Sequence, residues 1–231
     1  MERLVESTPA HSNYNPDLLA VMPSTAQRVI EVGCSTGALG AAFKKIAPHS
    51  NYWGLEIDPD FADQAQAYCD RVFTLDIEYA DDAFWESVSD RDCWVFGDVL
   101  EHLKDPWSIL HQVRGVIPAN GVVVACVPNA QHWSLQAKLS AGAFEYEAEG
   151  LLDRTHLRWF TRTTLIKLFQ ECGFEIVGGT PRVFDEPQRE KFLPLIEQMA
   201  RLSGVDPNIA RADALPLQYV IKAVPKGVRF G

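Results

Sequence analysis

The chain has 231 residues, 47% hydrophobic and 23% charged, which fits one globular domain and excludes collagen, coiled coil and low-complexity polymers. Its 31 acidic and 21 basic residues leave a net charge of -10 with histidine neutral, so nucleic acid is an unfavourable partner. The five cysteines are dispersed and none has C-x-x-C spacing, which argues against a disulfide framework or zinc knuckle and for a reduced, cytoplasmic protein. Glu2, Arg3 and Glu6 open the chain without an apolar run, and the longest apolar stretch, Val122 to Val127, is too short to span a membrane.

Taken in chain order, short β-branched runs alternate with amphipathic segments, the pattern of an α/β domain with a mostly parallel sheet. An N-terminal cap helix is expected within residues 1–26. Buried strands are expected at Arg28 to Val32, Tyr52 to Ile57, Arg71 to Leu75, Cys93 to Phe96 and Val122 to Val127, each followed by a turn and helical periodicity. Asp105-Pro106 reads as an N-cap with proline at the first helical position, followed by Trp107, Leu110, Val113 and Ile117 at helical spacing. Residues 138–160 enclose the aperiodic stretch Ser140 to Asp153, a candidate lid over an acceptor. Thr161 should cap a helix that Gly173 stops, a strand follows from Phe174 to Val177, and a charged helical insertion at 186–213 precedes a last strand from Leu217 to Val224. The insertion offers a candidate homodimer surface, and the whole reads as a single domain.

The first strand ends in Glu31-Val32-Gly33-Cys34-Ser35-Thr36-Gly37, running into a helix near Ala38. Gly33 and Gly37 stand where the backbone must approach a ligand closely or take positive φ. A dinucleotide loop would want glycine at the positions of Ser35 and Ala38, so a nicotinamide oxidoreductase is disfavoured. Glu31 would repel a phosphate but suit an ammonium or sulfonium group. Glu56, ending the second strand, can accept from the hydroxyls of a ribose, and Asp76 with Ile77, after the third, can hold an adenine amine and face.

From about Asn15 to Val224 the chain resembles class I S-adenosyl-L-methionine-dependent methyltransferases, whose first motif is a D/E-x-G-x-G-x-G loop and whose second is an acid ending the next strand. The resemblance implies a Rossmann-like, seven-stranded, mostly parallel sheet with helices on both faces and an antiparallel last strand. It also implies that Glu31, Gly33 and Gly37 surround the methionine part, with Glu56 at the ribose and Asp76 and Ile77 at the adenine, and that Cys34, Ser35, Ile57, Asp98 and Val99 complete the cofactor site. Ser35 replaces the middle glycine and suits the loop if its φ stays negative. Tyr14 is placed to close over the cofactor.

After the fourth strand comes Asp98-Val99-Leu100-Glu101-His102, and later Leu151-Leu152-Asp153-Arg154-Thr155-His156-Leu157-Arg158-Trp159-Phe160-Thr161. If a helix begins at Asp98, then Glu101 and His102 share its face, either as a capping box or as ligands. The D-x-x-E-H pattern is similar to the E-x-x-E-H motif of ubiquinone-biosynthesis O-methyltransferases and small-RNA 2′-O-methyltransferases. That similarity implies a divalent metal ion held by Asp98, Glu101, His102 and His156. The Leu151 to Arg162 segment resembles bacterial methyltransferases associated with sugar and cell-surface polysaccharide biosynthesis.

A hydroxyl acceptor needs proton removal, a task for His102 or His156 as catalytic base. Arg154, Arg158 and Arg162 could hold an anionic group of the acceptor, and Trp159 could stack a sugar ring. Asn129, His132 and Trp133 follow the fifth strand, where acceptor loops begin. The expected function is therefore methyl transfer to a hydroxyl of a small-molecule acceptor, most simply a sugar. The alternatives are a catechol-like natural product, a metal-dependent 2′-O-methyltransferase and, in a different class, a non-catalytic cofactor-binding module.

Overall fold

The computed structural model describes residues 13–227. Glu2, Arg3, Glu6 and the first part of the expected N-terminal cap lie outside them. Seven strands form one sheet: β1 (Arg28–Val32), β2 (Asn51–Glu56), β3 (Arg71–Thr74), β4 (Cys93–Gly97), β5 (Val122–Pro128), β6 (Phe174–Arg182) and β7 (Gln218–Pro225), in the order β3-β2-β1-β4-β5-β7-β6. β1 to β5 pair in parallel, and β7 runs antiparallel to both β5 and β6, as the expected fold class requires.

Strand alternation explains the near-continuous apolar runs, because helices cover both faces of the sheet. Ile30, Val32, Trp94, Phe96, Val123 and Ala125 face one cluster, and Val29, Cys93, Val95, Val124 and Cys126 face the other. Helices α4 (Asp82–Ser87), α5 (Pro106–Val116) and α7 (Arg162–Glu171) supply Trp85, Leu110 and Phe169 to the first. Helices α1 (Pro16–Val21), α2 (Ala38–Ile46) and α3 (Pro59–Ala65) supply Leu18, Phe43 and Ala65 to the second.

The expected caps form. The Asp105 carboxylate accepts from the Ser108 N–H at 3.0 Å, Thr161 and Thr164 make a reciprocal capping box, and Gly173 follows α7 with φ 81°. The insertion contains α8 (Arg189–Leu202) and α9 (Pro207–Ala214), which pack with Trp133 of α6 (Trp133–Ser140) in a third cluster. No helix among the described residues is long and apolar enough to cross a membrane.

β6 runs five residues beyond the expected end at Val177, through two glycines and a proline. It is an edge strand, so Pro181 forfeits no ladder bond on its open side, and a register shift between Ile176 and Gly178 absorbs the irregular backbone. The extension carries Arg182 to the C-terminal rim of the parallel strands. Gly179 has φ 146°, and a Cβ there would lie 2.2 Å from the Val220 carbonyl oxygen. Gly179→Ala should therefore cost about 3 kcal/mol in urea unfolding, the upper range for forced backbone strain. Gly178→Ala, where a Cβ meets nothing within 4 Å, should change stability little.

Candidate functional site

The chain reverses its winding direction between β1 and β4, and in such sheets the crevice beyond the strand C-termini at that point is where ligands bind. A cavity of about 720 Å³ opens there. Of the residues expected at a cofactor, Tyr14, Glu31, Gly33, Cys34, Ser35, Glu56, Ile57, Asp76, Ile77, Asp98 and Val99 line it. Gly37 does not; with φ 81° it caps α2 and lies against Ala65.

Glu56 organises this end. One carboxylate oxygen accepts the Ser35 N–H at 2.7 Å, and the other accepts those of Ile57 at 2.8 Å and Asp58 at 3.1 Å. A carboxylate offers about four lone-pair sites, so capacity remains for about one further donor rather than for both hydroxyls of a ribose. The bond to Ser35 pins the loop after β1, where Gly33 has φ 68° and Ser35 has φ 48°. The expectation of negative φ at Ser35 is thus corrected: the serine takes the left-handed conformation of the glycine it replaces. A Cβ on Gly33 would meet Val99 at 2.7 Å, so the two loops are packed as closely as glycine allows.

Glu31 is buried and accepts the Tyr52 hydroxyl at 2.8 Å. Burial pushes its carboxyl well above the ordinary range, against the opposing effect of that hydrogen bond. Asp76 caps the 3₁₀ turn Ile77–Tyr79 through the Glu78 N–H at 3.0 Å, presenting a carboxylate beside the buried Ile77.

After β4, the expected helix at Asp98 is absent. Asp98 has φ 54°, His102 N–H closes a single turn on the Val99 carbonyl at 2.9 Å, and no helix begins before Pro106. The capping-box reading fails with it: the Asp98 carboxylate accepts instead from the Gln218 amide and, at 3.5 Å, from the Cys126 thiol. Glu101, His102 and His156 do converge, each offering a ligand atom within 4.8 Å of the others, and Asp98 lies outside that group.

Glu101 is 2% exposed, and neither of its oxygens has a hydrogen-bond partner on another residue; Nδ1 of His156 is likewise buried and unpartnered. Burial first and the charge of Asp98 second push the Glu101 carboxyl well above its ordinary range. Burial holds both imidazoles below theirs, aided at His102 by the neighbouring ring, at a centroid distance of 4.7 Å, and partly opposed by Asp153.

The segment before α7 is stitched onto this turn, since the Glu101 carbonyl accepts the N–H groups of Leu157 at 2.8 Å and Arg158 at 2.9 Å. The irregular loop before it contributes Glu149, Gly150 and Leu151 to the cavity wall. None of the expected acceptor residues Asn129, Trp133, Arg154, Arg158 and Trp159 lines the cavity. Asn129 is fully buried, its amide donating to the carbonyls of Asp213 and Pro216 at 2.8 Å. Trp133 stacks on Phe192 and donates to Glu186 at 2.9 Å, Arg158 donates to the Lys104 carbonyl, and Trp159 donates to that of Leu151 at 3.3 Å. Arg162 pairs with Asp213 at 2.6 Å, tying α7 to α9.

Sequence reasoning missed Asp153, Thr155, Arg182 and Gln218 as cavity residues. Asp153 and Thr155 stood in a motif already singled out, but their hydrogen-bonding role depends on the fold of the turn. Arg182 lay hidden behind a strand expected to have ended.

The profile of the methyltransferase domain family matches residues 10–178, and the chain belongs to that family. No curated protein matches it in sequence. A similar solved structure is an S-adenosylmethionine-dependent methyltransferase from Archaeoglobus fulgidus, with TM-score 0.58, 17% identity and 87% of each chain covered. Another is magnesium protoporphyrin IX methyltransferase from Synechocystis with bound S-adenosylhomocysteine, with TM-score 0.57, 13% identity and 90% of this chain against 78% of that one. An O-methyltransferase of neocarzinostatin biosynthesis, in complex with S-adenosylhomocysteine and a dihydroxynaphthoic acid, has TM-score 0.55 and 12% identity, with 91% of this chain against 53% of that one. At these identities the likeness is one of fold.

The lowered imidazole pKa values mean that His102 and His156 shed their protons at a more acidic pH than a free histidine and stay neutral at pH 7. An NMR titration should place both midpoints below 6.5, the ordinary value. A midpoint above 7 for either ring would contradict the burial that depresses it.

Proposed function

We propose that this methyltransferase binds S-adenosyl-L-methionine against Glu31, Glu56 and Asp76 and transfers its methyl group to a hydroxyl of an uncharged small molecule, a sugar or sugar-containing metabolite. The observation that carries the reading is the placement of His102, half-buried, and His156, buried, both neutral, in the wall of the same cavity as the glycine loop. The sulfonium methyl is already activated, so the protein's work is to align the hydroxyl in line with the carbon–sulfur bond and to take up its proton. The oxygen attacks the methyl carbon, the carbon–sulfur bond breaks with its electrons left on sulfur, and the hydroxyl proton passes to an imidazole nitrogen. A positive sulfonium becomes a neutral thioether and a neutral imidazole becomes positive, so the site's net charge is unchanged.

The wall electrostatics support an acceptor without negative charge. Eight carboxyl side chains line the cavity among the described residues, and Arg182 is the only lysine or arginine there. Its guanidinium is already committed to Asp17 at 2.8 Å and to Gln218. Even with Glu31 and Glu101 pushed toward their neutral forms by burial, a phosphate or carboxylate on the acceptor would meet repulsion from the other carboxylates, whereas hydroxyls find acceptors. This revises the expected role of Arg154, Arg158 and Arg162 as anion holders. A cytosolic location belongs to the same proposal, supported by five cysteines that are all free and buried.

A second reading has its own observation. Glu101 and His156 carry buried, unpartnered acceptor atoms, the donor set a divalent ion requires, and with His102 they would hold one through a mixed carboxylate and imidazole set suited to Mn, Zn or Fe. Such an ion would lower the hydroxyl's pKa and fix its position.

The test is transfer of labelled methyl from S-adenosylmethionine into a cytosolic extract, resolved into uncharged small molecules, anionic small molecules, glycan and RNA, with and without a chelator. Label should enter the uncharged sugar-containing fraction, and His102→Ala or His156→Ala should lower transfer by about 10²–10⁴-fold, the typical contribution of a general base. Label confined to RNA or to anionic molecules would overturn the acceptor assignment. Loss on chelation, restored by Mn or Zn, would assign Glu101, His102 and His156 to a metal, and undiminished transfer would assign the histidines to proton uptake alone.

A further inference from the structure

His102 and Asp153 are far apart in sequence and are linked through Thr155. The Asp153 carboxylate accepts both the N–H of Thr155 at 2.8 Å and its hydroxyl at 2.7 Å through the same oxygen. The Asp153 carbonyl accepts the His156 N–H at 3.0 Å, so the four residues 153–156 form a closed turn. This turn is fastened to the 101–102 turn by the two N–H bonds into the Glu101 carbonyl already described. Asp153 is 3% exposed, and its own position leaves the Thr155 hydroxyl oriented toward it.

The direction of each remaining bond follows from counting hydrogens. A threonine hydroxyl has one hydrogen, and here it is donated to Asp153. Toward Nδ1 of His102, which lies 3.1 Å from the same Thr155 oxygen, that hydroxyl can only accept. The Thr155 backbone carbonyl lies 3.2 Å from the same Nδ1 and can also only accept. Two acceptors converge on one ring nitrogen, so that nitrogen carries the hydrogen. A neutral imidazole has one N–H, which leaves the lone pair on Nε2.

We infer that Asp153 and Thr155 are positioning residues that lock His102 in its Nδ1–H tautomer, so that Nε2 is the atom it presents to the acceptor hydroxyl. The catalytic consequence rests on the proposed hydroxyl methylation, whereas the tautomer does not, so the two can fail separately. The arrangement explains why Asp153, a carboxylate in an already acidic cavity, stands where it does. It acts at one remove from the chemistry, through a hydroxyl that converts its negative charge into an oriented acceptor for the ring. The same turn presents the adjacent His156, so one short segment sets both imidazoles.

The test is ¹⁵N NMR of the full chain labelled at histidine, free of cofactor and metal, with the His102 signals assigned by difference from His102→Gln. The wild-type protein should show His102 protonated at Nδ1 and bare at Nε2. Asp153→Ala frees the Thr155 hydroxyl to turn and donate to Nδ1, in competition with the backbone carbonyl 3.2 Å away, and should give a mixture of tautomers. Its kcat should fall by about 10–100-fold, the usual cost of removing an orienting partner, with KM for S-adenosylmethionine unchanged. Asp153→Asn keeps an accepting oxygen, and Thr155→Ser keeps the hydroxyl, so both should retain the wild-type tautomer. Should Asp153→Ala fail to fold, Thr155→Val takes its place and should move the tautomer in the same direction by a smaller amount. A wild-type His102 protonated at Nε2 would overturn the inference, as would an unchanged tautomer in the disruptive variant. The correct tautomer in a protein that transfers no methyl to any hydroxyl would leave the inference standing and defeat the proposed function.

Discussion

The three N–H bonds into the Glu56 carboxylate hold one end of the cavity in shape. They join the end of β2 to the loop after β1 and to the first residues leading into α3, reinforcing the bonds by which the Leu55 carbonyl accepts the Gly33 and Cys34 N–H groups at 2.8 and 3.1 Å. A buried carboxylate without partners is costly, and one with three oriented donors becomes a rigid bracket. Because Ser35 is held by this bracket, the loop can keep a non-glycine residue at φ 48°, a conformation that ordinarily costs about 1–3 kcal/mol. The glycine at 33 then lets the loop approach Val99, and the cavity takes its form between the two.

Elsewhere in the cavity wall, the same problem has a different solution. Glu101 is left with no partner on another residue, and its neighbours His102 and His156 are neutral because burial disfavours their charged forms. A folded protein tolerates such groups chiefly where a ligand or a reaction uses them. The cavity is therefore asymmetric: satisfied carboxylates frame one side, and unsatisfied acceptors wait on the other. A cationic cofactor suits the first side, and a proton or a divalent ion suits the second.

Much of this was legible in the sequence where local chemistry decides. The strand and helix order, the caps at Asp105 and Thr161, the stop at Gly173 and the carboxylates ending the first three strands all follow from short patterns whose physics is local. Elsewhere, tertiary contacts override those patterns. Asp98-Val99-Leu100-Glu101-His102 has the spacing of a helix start, yet positive φ at Asp98 and the close packing of Val99 on Gly33 turn it into an irregular loop. Val177 looked like a strand end because glycines and a proline follow, and only the edge position of β6 lets the strand continue to Arg182. The arginines and aromatics of the 151–162 segment looked like an acceptor grip because their type suits one. In the fold, Arg158, Trp159 and Arg162 anchor backbone and helices, and the segment reaches the cavity through Asp153, Thr155 and His156 instead.

The most direct test of the central claim, that Glu56 frames a site for a sulfonium nucleoside rather than a pyrophosphate, is calorimetric titration of S-adenosylmethionine and NADH into the wild-type chain and Glu56→Ala. Wild type should bind S-adenosylmethionine and not NADH. Glu56→Ala should lose at least about tenfold in affinity, as expected when a charged acceptor is removed from a hydrogen bond worth about 1.5–3 kcal/mol. Equal binding of NADH, or an unchanged dissociation constant in Glu56→Ala, would contradict the account.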